Sequence, residues 1–294
     1  MLSPRHLLAA VCLCFAVCIA PAQAQEAAQI QALVAKEAPA IVTVKAVLKV
    51  EMKGAGAGTE SRTEMQGVVV DPSGLIMISN VPYSTAKLME MMGMPPEAAA
   101  GAPKITPTDF KVIFERESKE YPAFLAASDT TLGLTFLKIE DLGGRILTSV
   151  SFANAPTPAL GDAVIALARM SKGYDYAPYY ESARVSGTIA KPRAALMLDG
   201  SASDMGLPIF TLSGDPVGVL TSVAAGVSSS DSNEAMSMKM MMRMFGGGGG
   251  SRPGVFVVPG SAVAPVIAQA QARAVEIAAQ RAKTPPAAPV VPAK

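Results

Sequence analysis

The residues best suited to covalent chemistry lie between Lys191 and Val223. Ser201 and Ser203 offer hydroxyls, and Asp199, Asp204 and Asp215 offer carboxylates. A serine attacks a carbonyl only if a base takes its proton and a further group orients that base. The usual base is histidine, and the only one in the chain is His6. A Ser-Lys site built from Ser201 or Ser203 with Lys191 stays formally open, and it requires a buried lysine of depressed pKa. The aspartates sit in successive turns, where Asp is favoured for its local hydrogen bonds, and they read as turn formers rather than a convergent catalytic pair.

His6 belongs to a segment with its own logic. Residues 1–24 carry a basic start, an apolar run from Leu7 to Ala20, and Ala22-Gln23-Ala24. This pattern predicts a secretory signal peptide cleaved after Ala24. The apolar run is short for a membrane anchor, so no membrane span is expected after cleavage. Cys12, Cys14, Cys18 and His6 all leave with the leader, and the mature chain then has no disulfide and no His- or Cys-based zinc site. Arg5 leaves as well, so of 25 basic residues 24 remain against 24 acidic ones. A neutral chain without a basic run gives no basis for binding nucleic acid. The loop Gly54-Ala55-Gly56-Ala57-Gly58 lacks the Lys-Ser or Lys-Thr of a phosphate loop and reads as a linker, and no cofactor is expected.

Methionine is concentrated in two stretches, Met89 to Met94 and Met236 to Met244. Thioethers are soft ligands for Cu(I), which makes a copper-binding envelope protein one alternative. An adaptable apolar surface for a partner is another. A loose tether is the third, since Ser228 to Ser232 and Gly246 to Gly250 flank the second stretch.

The elements that would position these groups are mostly strands. Ile30, Leu33, Val34 and Ala38 are spaced for one face of a short helix ending near Pro39. Val42, Val44, Ala46, Leu48 and Val50 then alternate with more polar residues, as in a half-buried strand. Turn-separated strands are predicted at 66–70, 75–79, 110–114, 123–127, 134–139 and 150–152. Beyond Pro156 and Pro158 a second set falls at 163–168, 179–181, 184–190, 196–198, 208–212, 217–223 and 255–258. Ser261 is placed to cap a last helix through about Lys283, with Val266, Ile267, Ala270, Ala274 and Ile277 facing inward. Residues 284–294 form a Pro/Ala tail without a core pattern.

Several local runs carry a resemblance. The stretch from Asp204 through Met205, Gly206 and Pro208 to Gly214 and Gly218 resembles the nucleophile turn of trypsin-like serine proteases, most closely the HtrA type. Gly67 to Ile76 resembles the entry to the catalytic histidine, Asp129 to Ile139 the strand of the catalytic aspartate, Gly161 to Ala166 the opening of the second barrel, and Phe256 to Pro259 its last strand. Carried over position by position, the histidine falls on Val81, the aspartate on Gly133 and the serine on Met205. None of the three side chains can do its part in acyl transfer. The first glycine of the oxyanion turn becomes Ser203, where a Cβ disfavours positive φ, so the turn reads as a hairpin closure before an anion nest.

The resemblance implies an all-β fold of two packed antiparallel six-stranded β-barrels, with a short N-terminal helix (25–39), barrels at 40–153 and 154–260, and a C-terminal helix (261–283). It implies a periplasmic or extracellular pseudoprotease that holds a protein or extended peptide in the inter-barrel cleft, as the family does by strand addition. No catalytic, cofactor-binding or metal residue is assigned, and self-association is left open.

Overall fold

The computed structural model describes residues 24–51, 58–86, 102–191, 193–202, 204–222 and 255–283. The leader through residue 23, Ser203, the linker at 54–57, both methionine stretches and the Pro/Ala tail lie outside the described residues.

Helix α1 spans residues 24–37, and the spacing of Ile30, Leu33 and Val34 explains why one face docks. Leu33 is fully inserted, with Ile30 and Val34 packed beside it. Pro39 shapes a single 3-10 turn over Ala38–Ala40, and the chain leaves it extended.

Six strands follow: β1 Ile41–Glu51, β2 Thr59–Asp71, β3 Leu75–Ser79, β4 Lys104–Phe114, β5 Tyr121–Asp129 and β6 Leu134–Ile139. They close in the order β1-β2-β3-β6-β5-β4. The second barrel holds β7 Ala163–Arg169, β8 Pro178–Ile189, β9 Ala195–Gly200, β10 Pro208–Thr211, β11 Pro216–Ser222 and β12 Val255–Pro259, in the order β10-β11-β12-β9-β8-β7. Numbered from its own first strand, the second barrel has the same wiring as the first. Closure removes most free edges, so the expected two antiparallel barrels are what the chain builds. Helix α2, Gly260–Lys283, then lies across β5 and β11, burying Val263, Ala270 and Ala274.

Four local expectations are corrected. Val150 and Phe152 are buried as their alternation suggests, but they form no strand. Val150 N–H donates to the Val69 carbonyl at 2.9 Å, just where the β1 pairing of β2 ends, and Ala155 closes a turn onto Phe152 ahead of the prolines. The segments 179–181 and 184–190 are one strand, because Ser182 and Ala183 keep pairing with Ile165 and Val164 across β7. β1 is not half-buried at its start: Ile41 to Val44 are buried on both faces, since β7 of the second barrel packs against this end. The last helix begins at Gly260, which puts Ser261 inside the first turn and exposed rather than at a cap.

A hydrophobic cluster runs through both barrels, from Val42, Phe114 and Phe136 in the first to Leu167, Phe210 and Val219 in the second. No helix among the described residues is long and apolar enough to cross a membrane.

Candidate functional site

The end of β3 sets the first part of the site. Ser79 closes the strand, Asn80 leaves it, and Val81–Tyr83 forms a 3-10 turn stiffened by Pro82. Val81 N–H donates to Ser79 Oγ at 3.2 Å, and Asn80 N–H donates to the Gly133 carbonyl at 2.9 Å. The backbone of Gly133 is thereby tied to the residue preceding Val81. Gly133 ends the turn between β5 and β6 at φ +72°, and Asp129 Oδ1 shapes that turn by accepting from Leu132 N–H at 2.8 Å. A Cβ placed on Gly133 would stand 3.8 Å from Val81 Cγ2 and 3.6 Å from Asn80 Oδ1. The two positions therefore meet.

What fills the remaining space comes from the other barrel. Thr221 of β11 is buried and its Oγ1 donates to the Leu132 carbonyl at 2.6 Å. The same oxygen lies 3.1 Å from the Cβ position at Gly133. An acid at 133 would need positive φ and would press on this hydroxyl. Asn80 is buried with Nδ2 reaching the Asp129 carbonyl at 3.4 Å, while its Oδ1 finds no partner among the described residues.

Met205 occupies the turn opposite. The next residue, Gly206, has φ +88°, and a Cβ on it would be 2.5 Å from Ser79 N. The Met205 turn thus leans directly on the end of β3, two residues before Val81. Gly206 N–H donates to the Leu220 carbonyl at 2.7 Å and Leu220 N–H to the Leu207 carbonyl at 3.0 Å, so these amides close the hairpin. Met205 itself is half-buried. Its thioether accepts hydrogen bonds weakly and has no proton to transfer.

A polar relay fixes that turn. Asp204 Oδ2 accepts from Tyr179 Oη at 2.8 Å and from Gln66 Nε2 at 3.2 Å, and Gln66 Oε1 accepts from Arg169 N–H at 2.6 Å. Burial, then the Asp204 carboxylate, pushes the Tyr179 phenol up to about 12. The buried Arg169 guanidinium reaches back across the barrel seam, donating to the carbonyls of Ile41 at 2.6 Å, Ala38 at 2.6 Å and Tyr176 at 3.1 Å. Burial lowers its pKa from the ordinary arginine value, and these carbonyls replace the lost water.

The other candidates do not assemble. Lys191 and Ser201 flank β9 at opposite ends, both exposed, and six strand residues put them about 20 Å apart. That removes Ser201 as the partner of a Ser-Lys site. Asp199 sits on β9 opposite Arg184, Asp204 is held in the relay, and Asp215 accepts from Ser213 Oγ at 2.7 Å within its own turn. No carboxylate pair converges among these three. The sequence reading passed over Thr221, Asn80 and the Gln66-Arg169-Tyr179 relay. Thr221 did carry a signal: it is a hydroxyl in phase with the buried Val217 and Val219. The relay joins residues far apart in sequence and carried none.

Neither a family profile nor a curated protein matches the sequence. Solved structures similar to this one include an HtrA-type protease with decapeptide, 17% identical, with a TM-score of 0.49, covering 81% of this chain and 65% of that one. The chain therefore spans a little under two thirds of that protein's length. The present chain's two closed six-stranded antiparallel barrels, wired alike and meeting where Thr221 lies against Gly133 and Gly206 against Ser79, fit a trypsin-like fold.

Proposed function

We propose that this chain is an exported, catalytically inactive trypsin-like protein that binds a protein or extended peptide along the inter-barrel cleft. The observation that carries the reading is the meeting of Val81 with Gly133. Where acyl transfer needs a base and the acid that orients it, the chain has a buried isopropyl group and no side chain, with the Thr221 hydroxyl packed alongside. Export rests on the leader, whose removal also takes away the only imidazole. Binding is supported by the Met205 turn, which Gln66 and Tyr179 hold in place through Asp204. Fold alone does not fix a role, so the test must read binding directly.

Unfolded, fluorescein-labelled casein is the probe. The expected result is no release of small fragments, together with an anisotropy that rises to saturation with protein concentration. Met205→Arg should weaken that association roughly tenfold, because an unpaired charge would be buried beneath the bound chain. Fragment release abolished by a serine-directed inhibitor would overturn the loss of catalysis. A flat anisotropy with casein and with extended peptides alike would overturn the binding role.

A further inference from the structure

The hairpin of β1 and β2 outruns the first barrel. β3 joins β2 only from Gly67, opposite Ile78, and β5 joins β4 only from Phe110 to Val112. β1 stays paired with β2 out to Val50 opposite Thr59, and with β4 out to Glu51 opposite Lys104. What projects is a three-stranded antiparallel arm in the order β2-β1-β4, with an outer edge on each side. The β4 edge is interrupted, since Pro107 has no N–H and Asp109, at φ 50°, bulges where the register slips between Lys45 and Val47. The β2 edge from Thr59 to Met65 has neither proline nor bulge, and among the described residues no strand covers it. A strand paired on one side turns alternate N–H and C=O groups outward, ready for another strand.

The charges on this edge are patterned. Glu60, Arg62 and Glu64 share one face, opposite Lys49, Val47 and Lys45 of β1. Glu60 lies 3.2 Å from Lys49 Nζ and Glu64 lies 3.9 Å from Lys45 Nζ. Arg62 is exposed, faces Val47, and has no ion-pair partner among the described residues.

We propose that the outer edge of β2 pairs with the same edge of a second copy of this chain, antiparallel about a two-fold axis at Ser61, so that Arg62 of each copy faces Glu60 of the other. The two arms then form one six-stranded sheet. Charge and space select this register. An axis at Arg62 would set Arg62 against itself and Glu60 against Glu64, which is repulsive. An axis at Thr63 would bring the second copy's Glu60 onto Gln66, already engaged with Arg169 N–H and Asp204 at the second barrel.

The test is disulfide trapping of the full chain, purified from the exported fraction, with Cys12, Cys14 and Cys18 changed to serine so that no other thiol remains. Ser61→Cys places the two thiols face to face across the axis, within about 5.5 Å between Cβ atoms. Thr59→Cys faces Thr63 instead and leaves its thiols about 14 Å apart, four residues along the strand. Mild oxidation should link Ser61→Cys into a dimer and leave Thr59→Cys monomeric. Adding Arg62→Glu to Ser61→Cys should lower the yield about tenfold, as two opposite-charge pairs become like-charge pairs, and Glu60→Arg on top should restore it. All four sites are exposed, and circular dichroism checks that each variant is folded. No dimer from Ser61→Cys, equal trapping at both cysteines, indifference to Arg62→Glu, or failure of the charge swap to restore the yield would each overturn the proposal.

Discussion

Gly133 and Gly206 both hold left-handed backbone, but different constraints make each a glycine. At 133 the nearest obstacle to a Cβ is the Thr221 hydroxyl at 3.1 Å, a contact that a shift of a few tenths of an ångström relieves for a methyl group but not for a larger side chain. At 206 it is the backbone nitrogen of Ser79 at 2.5 Å, which cannot move without shifting β3. Gly133→Ala should therefore cost about 1–2 kcal/mol, mostly from its φ. Gly206→Ala should cost more, about 3 kcal/mol, with overpacking added to strain. Urea unfolding of the two variants checks the order, and a larger loss at 133 would refute it. The same geometry bears on rescue: Val81→His, Gly133→Asp and Met205→Ser combined should yield no casein hydrolysis, because the aspartate would inherit φ +72° and the Thr221 contact. The lack of a base in the proposed site was legible in the sequence, since the single histidine is His6, within the segment read as a signal peptide. The Thr221 hydroxyl beside Gly133 was not, since Thr221 and Leu132 meet only when the barrels close.

Among the elements, the seam between the barrels depends on one side chain of β7. Arg169 supplies donors to Ala38 and Ile41, where α1 hands over to β1, and to Tyr176 in the loop before β8. Arg169→Met keeps much of the volume but removes all three guanidinium hydrogen bonds, leaving the Ala38 carbonyl only the Ile41 N–H, so a loss of about 3 kcal/mol is expected. Local opening should precede global unfolding, and hydrogen exchange should quicken first over residues 24–44. Uniform acceleration across both barrels would argue against so local a role. Strands were legible where turn residues bracket a short, mostly apolar run, as in β3 and β6, whose bounds match the reading residue for residue. The pattern misled where burial and pairing part company. Val150 and Phe152 are inward but have one main-chain bond to β2, while polar Ser182 continues a strand because β7 lies opposite it.

At the scale of the whole molecule, one hydrophobic cluster is shared by both barrels, while a second, around Val185, Ile209 and Val257, belongs to the second barrel alone; the shared one couples their unfolding. Tyrosine fluorescence and far-UV circular dichroism should report one coincident unfolding transition, tyrosine being the available fluorophore since the chain lacks tryptophan. That transition should weaken in alkali. Burial raises Tyr83 from 10.0 to about 12, and burial with Asp204 does the same for Tyr179. The folded state then binds more protons than the unfolded one across this window, so stability is complete below pH 10 and is lost as pH climbs towards 12. Tyr83→Phe should flatten part of that decline in denaturation midpoints measured against pH; an unchanged slope would remove Tyr83 as a cause.

Arg169 grips oxygens that every amino acid carries. As far as this joint is concerned, positions 38, 41 and 176 can drift without breaking it, whereas a single codon change at 169 undoes all of it. The joint thus draws its side-chain specificity from one partner only, while packing alone constrains the other three.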